Sequence, residues 1–420
     1  MSVHPATTFL PSRRSFRGHR WRAPALPWLT WVAVTMAIVI DTSGRVGLGP
    51  VSLSAFISLG VMAVLIALAP LVVGAGLATV PLPLLLFYGF VVVRLVFAPN
   101  PDGLQNAAIL TMFTFGIAFS ARSATVEIAG ATLRVFAGVG VLVAVLFAVG
   151  SVSGADVYMT RAFALTALVL LSAAVVLPPA DLLALAAPFV IVGAIVLSLS
   201  RTASAISILM LVGLVVRLRR GHRILLACGA VTGVALATWA LLSTFAPLRD
   251  RFLVGDNAVE VGGLAINTSG RSALWEAVSQ NAMHAPFLGH GPGSAVVFVT
   301  ERFGGITQPH NEYLRVLHDE GLVGLVPFVL GCLLVLIRVV KRIARTDQPI
   351  HWAALFALTA TLAAAATDNV LVYPFVLLPA AVLIGLSLGL PVDLSAGSKT
   401  TGKRTRARRD RADELTGVLR

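Results

Sequence analysis

The stretch "GLVGLVPFVLGCLLVLIRVV", Gly321–Val340, holds no acid and one cation, Arg338 near its end. A bilayer core takes a helix of about 20 mostly apolar residues, so this segment reads as a membrane span. The rest of the chain agrees with it. Of 420 residues 57% are hydrophobic and 12% charged, and the mean hydropathy is +0.90. An ordinary soluble domain carries about 25% charged residues. A water-soluble fold has nowhere to hide this much apolar surface. The expected class is therefore all-α, a polytopic transmembrane bundle.

Working outward, further candidate spans lie near 26–41, 51–70, 78–98, 104–121, 130–150, 160–177, 181–199, 203–217, 224–243, 351–370 and 373–390. With 321–340 they make twelve. The net charge of +13 gathers in "RRSFRGHRWR" (Arg13 to Arg22) and "KTTGKRTRARRDR" (Lys399 to Arg411). Basic clusters beside spans stay on the cytoplasmic side. Both tails, 1–25 and 391–420, are thus expected inside, which requires an even number of spans. The internal cations of "ARSATVEIAGATLR", "RLRRGHR" and "RVVKRIAR" then fall on that same face. No soluble domain accompanies the tails, so membrane lipids rather than nucleic acid are the expected partners. The first apolar run lacks an A-x-A-like site and reads as an uncleaved helix. Cys228 and Cys332 lie within apolar runs, where neither a disulfide nor a metal site is expected.

One connection is unusually long. Between the ninth and tenth spans the chain runs from about Ser243 to Glu320, whereas unstructured loops rarely exceed about 12–15 residues without a functional reason. This divides the chain into spans one to nine (26–243), an extracytoplasmic loop (244–320) expected to be catalytic, and spans ten to twelve (321–390). The loop contains two short helical patterns. In "TSGRSALWEAVSQNAMH", Thr268 or Ser269 is placed to cap a helix with Leu274, Trp275, Val278 and Met283 on its apolar face. The second, "HNEYLRVLHDE", places two histidines, three acids and an arginine directly against the tenth span.

Several polar residues are candidates for chemistry. Arg201, in "LSLSRTASAIS", sits at a membrane boundary on the outer side, where positive-inside topology disfavours it; a snorkelling helix end is the plain alternative. Arg271 opens a helix in "TSGRSALW", and a cation beside free backbone N–H groups suits a phosphate, or else is simply solvated. Gly289, Gly291 and Gly293 in "GHGPGS" demand a tight turn, with or without amides facing a ligand. His310 can take a proton from a hydroxyl near neutral pH, or merely bond the local backbone. Asp368 is the lone acid of the eleventh span, where intramembrane acids are functional by default, though a capping role fits too. Arg94, near the outer end of the third span, is placed to add to an anion site. Asn311 lies beside His310, while Tyr313 and Trp275 are suited either to stacking on sugars or to packing.

Three ordered motifs, "SGRSALWEAV", "PFLGHGPGS" and "HNEYLRVLHDEGLVGLVPFVL", resemble the signature of the O-antigen ligase and polymerase superfamily. The likeness is detailed over roughly 197–390. It implies a membrane glycosyltransferase that takes a glycan from a polyprenyl diphosphate and joins it to an acceptor outside the cytoplasmic membrane. By that resemblance His310 is the essential histidine, Arg271 the arginine of the outer-loop helix, and Arg201 the arginine between two spans. The substrate-binding set is Gly289, Gly291, Gly293, Asn311, Tyr313, Asp368 and Arg94. The reaction is expected to be inverting, with no cofactor and no metal. The expected partners are the lipid-linked glycan donor and a glycan, lipid or wall-polymer acceptor. The segment "SGADVYMTRAFALT" replaces an Asn-Pro-Asn-like motif of the family and leaves the acceptor open. A polymerase extending lipid-linked repeat units uses the same donor chemistry. A transporter would instead show broken helices and charges near the midplane.

Overall fold

The computed structural model describes residues 25–39, 47–48, 51–72, 74, 76–155, 157–178, 182–217, 229, 232–233, 236, 240, 259–261, 264–266, 271–304 and 308–391. The basic tails, Cys228, Thr268 and Ser269 fall outside these, and the expected ninth span is described only at isolated positions.

In chain order the helices are α1 (Trp28–Val39), α2 (Leu53–Ala67), α3 (Leu82–Phe97), α4 (Pro101–Arg122), α5 (Val126–Ser153), α6 (Thr160–Ala174), α7 (Leu182–Leu197) and α8 (Arg201–Arg217). They continue with α9 (Arg271–Ala282), α10 (Ser294–Phe303), α11 (Glu312–Thr346), α12 (Pro349–Ala365) and α13 (Pro374–Gly389). Short 3-10 turns cover Leu77–Thr79 and Val370–Val372, among others. Among the described residues two small antiparallel ladders, Gly47–Leu48 with Val51–Ser52 and Val259–Val261 with Leu264–Ile266, depart from the all-helical pattern. Helices α4, α5 and α11 are long and apolar enough to cross a membrane; eight more are apolar but shorter. Each expected span except the ninth overlaps one of these apolar helices, of which three are long enough to cross a membrane.

A helix that is apolar all round belongs inside, and α13 shows it. From Phe375 to Leu388 every residue is buried. It lies close along α4 because small residues line the seam: a Cβ on Gly385 would meet the Ser120 Cβ at 2.7 Å and the backbone at Ile117 still closer. Such close approach is what small residues provide between membrane helices. Farther out, Phe147 stacks on Phe163 with ring centroids 4.0 Å apart, and Phe87 of α3 meets Phe328 of α11 at 5.2 Å. The opposite face of α11 stays open, with Val326, Val329, Leu330, Leu333, Ile337 and Val340 all exposed. With no water to face, such a surface suits lipid.

The 35-residue helix α11 is interrupted at Gly321, whose φ of 62° and ψ of −164° are not helical. A break leaves carbonyls and N–H groups without helical partners. The loop between α9 and α10 supplies them. His290 and Gly291 donate their N–H groups to the His318 and Asp319 carbonyls at 2.9 and 2.8 Å, while Leu322 and Val323 donate to Pro286 and Phe287 at 2.8 and 3.0 Å. A Cβ at Gly321 would run into Phe287 and Gly289 backbone, so only glycine fits there. The first segment of α11, 312–320, is thereby held as a separate polar helix above the apolar one.

Candidate functional site

Four helix beginnings meet the turn between α12 and α13. Helix α12 ends at Ala365, so Asp368 lies in that turn and not within the eleventh span as its apolar surroundings suggested. The neighbours Thr367, Asp368 and Asn369 form the floor of the site. Arg271, the first residue of α9, donates from Nη1 to the Thr367 carbonyl. Thr202, in the first turn of α8 beside Arg201, shares a 2.8 Å hydrogen bond with the Thr367 hydroxyl. His310 precedes α11, and Arg161 stands in the first turn of α6 with its Nη1 3.2 Å from His310 Nε2 and 3.5 Å from Nδ1. An atom that near both ring nitrogens cannot lie in the ring plane without striking Cε1. The Arg161 guanidinium therefore sits over the imidazole face.

His310 is held from two directions. Its backbone has φ of 55°, an uncommon conformation outside glycine. Its N–H donates to Asn369 Oδ1 at 2.9 Å, which orients the amide so that Asn369 Nδ2 donates to His310 Nδ1 at 2.9 Å. On the same side of the ring Asp368 Oδ1 stands 3.9 Å from Nδ1, an electrostatic contact rather than a hydrogen bond. The side chain keeps 18% of its surface open, against 7% for Asp368. Burial pushes the Asp368 carboxyl up, but His310, the Asn369 N–H, Arg161 and Arg271 together hold it below the usual carboxylate range. The result is a histidine with a carboxylate beside Nδ1 and the Arg161 guanidinium over its face.

Helix N-termini carry partial positive charge, and those here add to the charges of the arginines. Met159, at the cap position of α6, contributes no side-chain cap to its first turn. Arginines and helix beginnings brought to one turn are the kind of surroundings that suit an anion. A hydroxyl group presented to His310 would then lie beside that anion.

The other expected residues have different surroundings. Asn311 caps α11, its Oδ1 accepting from the Tyr313 and Leu314 N–H groups at 3.1 Å. Tyr313 donates its hydroxyl to the Leu362 carbonyl at 2.8 Å, and Trp275 donates to Pro309 at 3.0 Å. Trp275 thus fixes the "QPHN" stretch, and Tyr313 ties the start of α11 to α12. Gly289, Gly291 and Gly293 all have positive φ, but their N–H groups bond Ala285, Asp319 and the Asp319 carboxylate within the protein. Asp319 also accepts from Ser294 Oγ and the Ala295 N–H, capping α10. Arg94 donates to the Gly289 carbonyl at 3.1 Å. The glycine loop and Arg94 thus brace the polar segment of α11, while Arg271, His310 and Asp368 gather at the Thr367–Asn369 turn, which α8 reaches through Thr202, next to Arg201. Glu312, fully buried, pairs with Arg315 and accepts the Leu371 N–H at 2.9 Å, fastening α11 to the same turn. Among the described residues no three His, Cys, Asp or Glu side chains group to hold a metal ion.

Sequence reasoning passed over Arg161 and Asn369. The signal for Arg161 was available: it is an arginine in the first turn of an apolar helix on the expected outer side, the same pattern that drew attention to Arg201. Asn369 carried none beyond being next to Asp368.

A bundle of apolar helices with a histidine, an acid and arginines clustered at one end is an integral membrane protein with a polar cluster at that end. Residues 186–329, about a third of the chain, match the family model described as O-antigen ligase. The match holds Arg201, Arg271, the glycine loop and His310; Arg94, Arg161, Asp368 and Asn369 lie beyond it. No curated protein matches the chain.

Proposed function

We propose that the protein is an O-antigen ligase-like glycosyltransferase working at the outer face of the cytoplasmic membrane. It transfers a glycan from a polyprenyl diphosphate to an acceptor hydroxyl. The observation that carries this reading is the meeting of His310, backed by Asp368, with Arg161 and Arg271 at one end of an apolar bundle, where the first turn of α8, which carries Arg201, also arrives through Thr202. The acceptor hydroxyl gives its proton to His310 while its oxygen bonds to the anomeric carbon. The bond from that carbon to the diphosphate oxygen breaks, and its electron pair leaves with the polyprenyl diphosphate. Attack from the face opposite the leaving group inverts the anomeric centre. The arginines bear the charge that grows on the diphosphate, commonly the largest contribution to rate. Arginine suits this because its fork pairs two phosphate oxygens at once. General-base help contributes about 10²–10⁴ in rate. The base sits against the membrane because the donor's lipid tail keeps it there.

Base action at Nε2 requires the proton of the neutral ring to be on Nδ1. In the resting arrangement Asn369 donates to Nδ1, so the ring carries its proton on Nε2. Substrate binding must shift Nδ1 from the Asn369 amide toward Asp368, a movement that the 3.9 Å separation leaves short.

The test is release of polyprenyl diphosphate from glycan-loaded lipid by the purified protein in nanodiscs, with cell-envelope extract as acceptor. Wild type should release it in an acceptor-dependent way, and folded His310→Ala and Arg271→Ala should not. Unchanged release by His310→Ala would remove the assigned base.

A further inference from the structure

Far from His310, at the other end of α11, a cavity of about 330 Å³ opens between the last turns of α11, the 3-10 turn Leu77–Thr79 and the end of α13. It is lined by Arg338, Lys341, Arg342 and Arg345, with Ala78, Thr79 and Leu388. The distance from Glu312 to Arg338 is roughly 40 Å along the helix, so this is a separate place from the site above. We infer that this cavity is a binding site for a phosphate-bearing anion.

Three observations carry the inference. The four cations fall at spacings of three and four residues, which puts them on one face of the helix. Like charges so placed repel, and Arg342 lies under the fields of both Arg338 and Arg345. Among the described residues none of the four has an acid within ion-pair distance, and the adjacent Asp347 carboxylate is taken by the Trp352 N–H at 2.7 Å. Two of the guanidinium groups are nevertheless pinned. Arg338 donates from Nη1 to the Thr79 carbonyl at 2.8 Å, and Arg342 donates from Nη1 to the Leu390 carbonyl. Each of these bonds uses one N–H of the five that an arginine carries, and holds the fork at the cavity wall. Retention of loops by positive charge needs cations near a span, with no requirement that they converge on one concavity or be fixed to helix ends. An anion with several oxygens explains both features. Ala78 and Leu388 give the cavity an apolar side, which suits a lipid phosphate at the bilayer edge.

The ligand chemistry is a phosphate, and its source is either a lipid headgroup or a soluble ion. Native mass spectrometry of the full chain in detergent, with dioleoyl phosphatidic acid or dioleoyl phosphatidylcholine added, reads the first. Calorimetric titration with inorganic pyrophosphate reads the second. Lys341→Gln with Arg345→Gln removes two cations that hold no described partner, so the fold should persist. Arg122→Gln with Arg134→Gln removes two exposed arginines elsewhere. The expected result is preferential retention of phosphatidic acid, weakened about tenfold or more by the first pair and unaltered by the second. Pyrophosphate binding with the same dependence on Lys341 and Arg345 supports the site with a soluble ligand. Equal effects of the two pairs, or no binding of either phosphate above the phosphatidylcholine control, would overturn the inference and leave the cluster as a topology signal.

Discussion

Replacing Asp368 by Asn keeps the shape of the site and removes one charge. The Asp368 carboxylate stands 3.9 Å from His310 Nδ1. At an effective dielectric constant of about 20, two unit charges that far apart interact by about 4 kcal/mol. In the unliganded site the Arg161 guanidinium, 3.2 Å from Nε2, opposes that attraction. Once a diphosphate occupies the arginines, their charge is compensated, and the carboxylate alone favours the proton that the ring gains in the transition state. About 4 kcal/mol corresponds to roughly a thousandfold in rate, which sets the upper end of the expected loss. The assay is single-turnover release of polyprenyl diphosphate with saturating donor, for wild type, Asp368→Asn, His310→Ala and the double variant. Asp368→Asn should lower the rate between tenfold and a thousandfold, and should have no further effect where His310 is absent, since the two act as one unit. A folded Asp368→Asn protein with a rate within threefold of wild type would refute the coupling. So would an undiminished effect in the His310→Ala background.

Arg161→Gln should weaken donor use more than acceptor use, raising KM for the lipid-linked glycan as well as lowering kcat; steady-state kinetics with each substrate varied reads the split, and a change confined to the acceptor would place Arg161 elsewhere. Asn311→Ala should cost about 1 kcal/mol of stability through loss of the α11 cap, with Asn311→Ser recovering most of it; thermal unfolding decides, and equal loss of activity in both variants at full stability would instead favour a direct substrate contact. Asp368 also makes a prediction with pH. Its carboxyl is held below the ordinary value of 3.8, so its stabilising effect is present above the unfolded value and is lost as pH falls through the lower folded one. Melting temperature on acidification should therefore drop more steeply for wild type than for Asp368→Asn, and a steeper drop in the variant would mean that the carboxyl is kept protonated.

The residues of the site differ in how far sequence could reveal them. His310 and Arg271 are conspicuous because a titratable group is rare in so apolar a chain, and each stands where a helix begins. Asn311 looked like part of the substrate site from its place beside His310. Its carbonyl oxygen is spent on two backbone N–H groups, and nothing in the local pattern separates a capping Asn from a binding one. The glycines of "GHGPGS" signalled a tight turn, which they form. That the turn's N–H groups would be taken up by a break in α11 depends on a glycine thirty residues away in the chain, Gly321, and a single sequence gives no sign of such a pairing.

Composition and periodicity determined that the chain is a membrane-embedded helical bundle, because burying a 57% apolar chain is a demand that no arrangement of loops can evade. They also placed the polar chemistry before the tenth span, since apolar runs and their interruptions are local. Only tertiary structure decided which interruptions meet. Arg161, Arg271, His310 and Asp368 are separated by as many as two hundred residues, and they converge because α6, α9 and α11 each pack so that their first turns reach the turn between α12 and α13. That outcome is set by side-chain fit along the helices, as where Gly385 lets α13 approach α4. Fit of this kind belongs to pairs of helices and is written in neither one alone.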